Sequence, residues 1–173
     1  PRLGSPLIYG IDAGHGHNNV KGATIYPHNI GLGATGNPEI VRSVSHATSS
    51  EVAATGINWT FAPCIATPQD YRWGRTYEGF SSDPKLVLDL GVAAVEGYQS
   101  STKKNPRKVI ACAKHFIGDG NTIYGTGINN LVDRGNTVLT KESLKKTLIP
   151  AYQAAIDAVV ETVMASYNSC TVT

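Results

Sequence analysis

Hydrophobic and polar positions divide the chain into short apolar runs and longer amphipathic segments. Four apolar runs, at residues 6–12, 57–63, 109–113 and 161–166, are too short for helices and suit buried strands. Apolar spacings of three and four residues between the runs predict helices. The strand starts recur about every 50 residues with one helical segment after each of the first three, so the pattern predicts parallel βα repetition.

The predicted helices carry their own start and stop signals. Asn37 and Asp83 are each followed by proline, which combines an N-cap side chain with a residue suited to the first helical position. Gly56 is the predicted end of the first helix, and the second runs to about residue 99. The third begins at Thr140 as N-cap and is expected to bend or start afresh at Pro150.

Four strands with three intervening helices make about half of a (β/α)8 barrel, whose usual size is roughly 250 residues. We therefore predict an α/β fold: a partial (β/α)8 TIM-like barrel of about four βα units, with residues 1–173 forming a single partial domain. The missing initiator Met and the apolar runs near both ends are typical of a segment of a longer chain. Such a half barrel has two unpaired sheet edges and is expected to be unstable or aggregation-prone alone.

Composition narrows the class of protein and of partner. Of the 173 residues, 41% are hydrophobic and 16% charged, which predicts a folded, soluble protein. The net charge of +2 is small, and the basic cluster within residues 103–108 is predicted to be a solvated loop, so neither nucleic acid nor a membrane is an expected partner. The spacing of Cys64, Cys112 and Cys170 fits no zinc or redox pattern, and the first two are predicted to be small buried hydrophobes.

Polar side chains follow each predicted strand. Parallel strands deliver the residues at their carboxyl ends to the same edge, where α/β proteins place their sites. A carboxylate, two cations, an imidazole and a phenol, with Trp73 nearby, can bind a polyhydroxylated ring, because carboxylates accept from hydroxyls, cations donate to them and aromatic faces pack on C–H groups. The candidate residues are Asp12, Arg75, Lys114, His115 and Tyr167.

Other chemistries compete for the same residues. His15-x-His17 after the first strand resembles the metal-binding pair of amidohydrolase-type barrels, with Lys114 at the place of a bridging lysine, but Tyr167 stands where a further histidine would be expected. A noncatalytic sugar-binding module, which would fold stably alone, is a third hypothesis. Residues 31–36 match the dinucleotide pattern G-x-G-x-x-G, yet no strand runs directly into them, so nucleotide binding is not predicted.

The motifs, taken together and in order, resemble those of glycoside hydrolase family 3, of the β-glucosidase and β-glucan exohydrolase type. They are YGID with HGHNN (residues 9–12 and 15–19), FAPC (61–64), RWGR (72–75) with Glu78, AKHF with GDG (113–116 and 118–120) and MASYN (164–168). The likeness covers essentially the whole chain. It implies a β-glucoside or β-glucan oligosaccharide as substrate, with retaining hydrolysis of terminal non-reducing β-D-glucosyl residues.

The resemblance also implies a role for each candidate residue. Asp12, Arg75, Lys114 and His115 would bind hydroxyls of the glucosyl unit in the −1 subsite, and Tyr167 would lie beside the nucleophile. The nucleophilic Asp is expected beyond Thr173 and the acid/base in a second domain, so the rest of the parent chain is an expected partner and this segment alone is expected to be inactive. No metal or cofactor is expected, and secretion or a lysosome-like compartment is typical of the family.

Overall fold

Strands and helices alternate along the chain where the apolar runs predict them. The computed structural model describes residues 2, 4, 5, 7–101 and 109–173, so the predicted basic loop at 103–108 lies outside the described residues. The helices are α1 (Asn29–Ala34), α2 (Pro38–Ala54), α3 (Pro84–Gln99), α4 (Lys141–Ser143) and α5 (Ile149–Asp157). The strands are β1 (Gly10–Ile11), β2 (Trp59–Thr60), β3 (Cys112–Phe116), β4 (Asn136–Leu139), β5 (Thr162–Ala165) and β6 (Ser169–Val172).

The predicted helix boundaries are confirmed. The Asn37 side chain accepts from the Glu39 amide at the start of α2, and the Asp83 side chain accepts from the Lys85 amide at the start of α3. The third predicted helix is in three parts: α4, a π-helical stretch over Leu144–Leu148, and α5 with a proline in its first turn. The break therefore falls next to Pro150, where the missing amide donor predicts it.

Four strands lie side by side in chain order and run parallel. Gly10 of β1 pairs with Trp59 of β2, and Ala113 of β3 pairs with Val163 of β5. Between these two pairs, the Thr60 amide donates to the Ile110 carbonyl at 2.9 Å. The resulting order, β1-β2-β3-β5, brings all four carboxyl ends to one edge.

The first strand is much shorter than the sequence predicts. Leu7, Ile8 and Tyr9 are 94%, 65% and 66% exposed and belong to no strand, so the prediction of a buried strand over residues 6–12 is wrong for this part. Their apolar side chains suit a strand, but the described pairing with β2 begins only at Gly10, and a segment without a neighbouring strand is not covered.

A further parallel strand pair was not predicted. β4 pairs with β6, with Asn136 opposite Ser169, in segments predicted as loop and as chain end. The short helix α1 also lies in a predicted loop, and it contains the first two glycines of the 31–36 pattern, which therefore do not form a phosphate-binding turn. The sequence gives little indication of these elements. β6 is exposed at all four positions, so it has no buried face, and α1 has only six residues, too few for a clear helical pattern.

The core lies between the strands and helices α2, α3 and α5. Small residues let the helices approach: a Cβ on Gly97 of α3 would lie 2.5 Å from the Arg42 carbonyl oxygen of α2. Residues 109 and 111–115, which end in the two predicted site residues, are buried, as the apolar run predicts. Within the described part of the chain, none of the helices is both long and apolar enough to span a bilayer.

Candidate functional site

Ion pairs at the carboxyl ends of the strands join residues far apart in sequence. The Lys114 ammonium lies 2.9 Å from Asp12 Oδ1, joining the end of β3 to the end of β1. The lysine side chain is only 10% exposed, whereas that of Asp12 is 68% exposed. The buried cation is thus paired with a carboxylate that still faces solvent and can accept further hydrogen bonds.

Helix α3 anchors the loop that carries Asp12. The buried Tyr98 hydroxyl donates to the Ala13 carbonyl at 3.1 Å, one residue beyond Asp12. Burial raises the pKa of Tyr98 well above its usual value, so the phenol remains protonated and keeps its donor. This hydrogen bond fixes the backbone from which Asp12 projects.

Arg75 and Glu78 form a bidentate pair on the loop after β2. Arg75 Nε and Nη2 donate to the two Glu78 carboxylate oxygens at 2.5 and 2.7 Å. The hydrogen bonds to Glu78 raise the pKa of Arg75 despite partial burial. Burial opposes ionisation of Glu78, but hydrogen bonding and charge from Arg75 outweigh it and leave the Glu78 pKa below its usual value. Both groups are therefore charged at neutral pH.

His115 is held between an acceptor and a donor. Its Nδ1 lies 2.6 Å from Asp119 Oδ2, and its Nε2 lies 3.3 Å from Arg75 Nη2. An ionised carboxylate only accepts and a guanidinium only donates, so the arrangement fits an imidazole that donates from Nδ1 and accepts at Nε2. The contact joins the Arg75–Glu78 pair to the end of β3.

A cavity of about 240 Å³ opens over these groups. It is somewhat smaller than the roughly 300–1,000 Å³ of pockets for drug-sized ligands, so it suits a small polar molecule. The charged residues lining it are Asp12, Arg75, Glu78 and Lys114, and the aromatic ones include His15, His28, Phe61 and Tyr77. The cavity lining thus combines charged donors and acceptors with aromatic rings.

A second, narrower cleft lies on the other side of Arg75. Arg75, His115 and Tyr167 line it together with Asp119 and Trp73. The Tyr167 side chain is 86% exposed there, whereas Trp73 is 5% exposed and packs in an apolar cluster with Cys64. Trp73 is therefore mostly covered by protein and offers a ligand only a small part of its ring.

All five predicted residues lie in this region. Asp12 and Lys114 line the larger cavity, His115 and Tyr167 line the narrower cleft, and Arg75 borders both. The predicted set omitted their acidic partners, although each had a local signal. Glu78 follows Arg75 by three positions, a spacing that allows side-chain contact within one helical turn, and Asp119 follows His115 by four across the turn that ends β3.

Two histidines of the larger cavity were also absent from the predicted set. The His15 and His28 rings contact each other with centroids 4.0 Å apart and planes tilted by 39°, and His28 makes an edge-on contact with Tyr77. Partial burial and the neighbouring His15 lower the pKa of His28 although Glu78 acts in the opposite direction. The lowered pKa favours the neutral form of His28 beside the charged groups of the cavity.

The structure gives the metal hypothesis for His15 and His17 no support. His17 is fully buried with Nε2 3.0 Å from the Thr55 hydroxyl, whereas His15 Nδ1 donates to the Tyr26 carbonyl at 3.1 Å. Among the described residues, the group of metal-ligating side chains close enough to hold an ion includes neither histidine; it consists of Cys64, His115 and Asp119.

With the geometry established, comparison with known proteins identifies the family. The profile described as "Glycosyl hydrolase family 3 N terminal domain" matches residues 1–173. This chain belongs to glycosyl hydrolase family 3. The resemblance inferred from the motifs is confirmed, and the family comprises hydrolases of glycosidic bonds.

The curated relatives include β-glucosidases and β-xylosidases. The chain is 35% identical over 156 residues to a lysosomal beta glucosidase of Dictyostelium discoideum, covering 87% of this chain and 18% of that protein. It is 32% identical over 168 residues to a periplasmic beta-glucosidase of Salmonella typhimurium, covering 97% and 20%. The chain thus spans about a fifth of the length of these relatives.

Solved structures of family 3 enzymes have the same fold over this length. An exo-1,3/1,4-beta-glucanase from a Pseudoalteromonas species is 46% identical with a TM-score of 0.86, covering 96% of this chain and 20% of that one. A beta-glucosidase from Listeria innocua in complex with glucose is 33% identical with a TM-score of 0.86, covering 98% and 22%. The mixed α/β fold is therefore that of family 3 N-terminal domain structures.

Proposed function

We propose that this chain forms the glucosyl-binding part of a retaining β-glucosidase that removes terminal non-reducing β-D-glucosyl residues. The observation that carries the proposal is the convergence of Asp12, Arg75 and Lys114, from three separate strand ends, on one cavity. Complexes of the Listeria innocua relative with glucose and, for a mutant, with laminaribiose support a β-glucoside or β-glucan oligosaccharide as substrate.

The polar groups of the site suit sugar hydroxyls. Lys114 has three donors and gives one to Asp12, so its remaining donors can point to a ligand in the cavity. Asp12 retains acceptor capacity towards solvent, and Arg75 is already oriented by Glu78. Vicinal hydroxyls, which both donate and accept, would exchange water for these fixed partners at little cost in side-chain entropy.

His115 and Tyr167 would complete the subsite from the narrower cleft. Both line it next to Arg75, which also borders the larger cavity, so one sugar ring held at the boundary could contact both groups. The imidazole is oriented by Asp119, and the exposed Tyr167 ring offers both a flat apolar face and a hydroxyl. We assign these residues to the −1 subsite together with the first three.

The reaction needs two further carboxyl groups, which we place in the rest of the protein. Retaining hydrolysis uses a nucleophile and an acid/base roughly 5 Å apart. The acidic residues beside the site are held by cations or an imidazole: Asp12 by Lys114, Glu78 by Arg75 and Asp119 by His115. Paired carboxylates of this kind suit binding and orientation.

The topology supports the architecture that this function would use. β1, β2, β3 and β5 are parallel and ordered along the chain, with α2, α3 and α4–α5 between successive strands. We propose that they form part of a (β/α)8 barrel whose remaining units come from elsewhere in the protein, with the site at the carboxyl ends of the strands.

Glucose binding to the purified protein tests the proposal. Replacing Lys114 by Met keeps an unbranched side chain that is one atom shorter and removes the charge. We expect a roughly 10- to 100-fold higher Kd for glucose by calorimetry because a charged hydrogen-bonding group is lost. Lys146→Met is the matched control, since Lys146 pairs with Glu142 on an exposed helix surface. Equal affinity of both variants, or no binding of glucose by the wild-type protein, would refute the proposal.

A further inference from the structure

Three side chains between the two cavities form a buried cluster of metal-ligating groups. Cys64 Sγ, a ring nitrogen of His115 and a carboxylate oxygen of Asp119 all lie within 4.8 Å of one another. The three residues are 3%, 7% and 8% exposed. Cys64 is held in place because its backbone bridges to Lys114 across the parallel strands.

One carboxylate oxygen in this cluster has no hydrogen-bond partner in the described part of the chain. Asp119 Oδ2 accepts from His115, but Oδ1 is buried without a hydrogen bond among the described residues. A buried carboxylate oxygen without a hydrogen bond is energetically unfavourable, so this atom would gain from a ligand that offers positive charge. Its neighbour, the Cys64 thiol, is not in a disulfide.

We propose that Cys64, His115 and Asp119 form a binding site for one thiophilic divalent cation of the Zn²⁺ and Cd²⁺ class. Sulfur, imidazole nitrogen and carboxylate oxygen are the ligand types that such ions prefer. Metal–ligand lengths of about 2.0–2.3 Å place tetrahedral ligands roughly 3.3–3.8 Å apart, so the side chains must move together by about 1 Å. A water molecule would occupy the fourth coordination position of the ion.

Binding would exchange a proton for the metal ion. The ion forms a bond to Cys64 sulfur, and the thiol proton passes to buffer; burial and the Asp119 charge raise the pKa of this thiol to about 12, so it is protonated until a metal displaces the proton. Coordination through His115 Nδ1 would shift the ring proton from Nδ1 to Nε2 and replace the hydrogen bond to Asp119, whereas coordination through Nε2 would keep the proton on Nδ1 and replace the contact with Arg75, so the imidazole stays neutral in either case.

The charge of Arg75 does not exclude the ion. Its guanidinium lies next to the His115 ring and repels a cation, but it is neutralised by a bidentate pair with Glu78. The Asp119 carboxylate and the Cys64 thiolate would then balance the two charges of the ion. The cluster therefore has the net charge that a divalent cation requires.

A titration of the purified protein with Cd²⁺ tests the site. The wild-type protein is expected to develop thiolate-to-metal charge-transfer absorbance that saturates at one ion per chain, and Cys64→Ser is expected to lose it. Asp119→Asn, which keeps the shape of the side chain, should weaken Cd²⁺ binding by roughly 10- to 100-fold through the loss of a ligand.

Cys112→Ser and Cys170→Ser are the controls, since neither thiol belongs to the cluster, and both variants should keep the charge-transfer band. Persistence of the saturating band in Cys64→Ser, or its loss in Cys170→Ser, would overturn the assignment.

The consequence for sugar binding rests on the proposed function. An ion at the cluster would hold His115 away from a sugar hydroxyl, so Zn²⁺ is expected to weaken glucose binding by roughly tenfold in the wild-type protein, with no such effect in Cys64→Ser. An equal effect of Zn²⁺ on both proteins would overturn the metal assignment. Failure of metal-free wild-type protein to bind glucose would contradict the proposed function instead, and the Cd²⁺ titration would still test the site.

Discussion

At the scale of single residues, Arg75 connects the parts of the site. It is paired with Glu78 through two hydrogen bonds, touches His115 and borders both cavities. A planar group with five donors can serve several partners at once, whereas an ammonium is a single point charge. The position of Glu78 is fixed in turn by Asn29, whose side chain donates to the Glu78 carbonyl at 2.8 Å.

The Arg75–Glu78 pair predicts a pH-dependent contribution to stability. The pKa of Glu78 is lowered in the folded protein, so the stabilisation is fully present above the unfolded value of about 4.3 and is lost as pH falls through the lower folded value. The Arg75 side chain is 41% exposed, and solvent screening limits the cost of Glu78→Gln to about 1 kcal/mol at neutral pH.

Urea unfolding of wild-type and Glu78→Gln protein measures this difference. The two free energies of unfolding should differ at neutral pH and converge in acid. Glu142→Gln is the control, because its partner Lys146 and Glu142 itself are 74% and 75% exposed and such pairs contribute little. A difference that grows as pH falls would contradict the predicted direction of the pH dependence.

At the scale of elements, close approach of backbones fixes the loops around the site. Helix α1 lies against the loop that follows Glu78, and Gly33 of α1 is buried there. A Cβ on Gly33 would overlap the Phe80 carbonyl oxygen, and a backbone atom cannot move away as the end of a flexible side chain can. The close approach of α1 to the loop after Glu78 therefore requires the absence of a Cβ at Gly33.

Gly33→Ala is predicted to destabilise the protein by about 2–3 kcal/mol, because the added methyl group overpacks a backbone contact. Gly31→Ala is the matched change in the same helix, where the new Cβ would lie 3.2 Å from the Pro27 side chain. We expect it to change stability by under about 1 kcal/mol, since the greater helix propensity of alanine offsets the tight contact. Thermal or urea unfolding measures the stability of both variants. Similar losses of stability in Gly33→Ala and Gly31→Ala would refute the assigned role of Gly33.

At the scale of the whole molecule, the strands leave apolar surface uncovered. β5 alternates half-buried and exposed positions, with Val163 45% exposed, although β3 beside it is buried at four of its five positions. Leu7 and Ile8 are exposed at the other end of the strand order. Exposed apolar side chains on the outer strand β5 and in the segment before β1 are typical of surfaces that another part of a protein covers.

The 173-residue chain alone is predicted to have no hydrolase activity on an aryl β-glucoside. Binding groups without an available nucleophile and acid/base cannot form the glycosyl-enzyme intermediate. Release of the aryl alcohol would be followed by absorbance, with a full-length family 3 β-glucosidase as the positive control. Turnover that disappears in Asp12→Asn would show that the chain carries its own catalytic pair and would contradict the division of roles proposed above.

Much of the fold and of the site could be predicted because the signals are local. The caps at Asn37 and Asp83 and the break at Pro150 depend on backbone geometry within a few residues. The polar residues after each strand share an edge because parallel strands end together, so the sequence alone indicated which five side chains would gather. The family motifs then gave the class of reaction.

Tertiary structure alone decided which groups are paired and which segments are covered. The Asp12–Lys114 pair spans 102 positions and the Arg75–His115 contact spans 40, distances at which sequence spacing carries no information on contact. Sequence spacing likewise did not predict that β4 pairs with β6 or that residues 7–9 are exposed. A strand forms only where a neighbouring strand supplies hydrogen bonds. The sequence by itself determined α2, α3, the break at Pro150 and five side chains of the site, because those signals are local; packing between distant segments determined α1, the pairing and burial of the site groups and the Cys64–His115–Asp119 cluster.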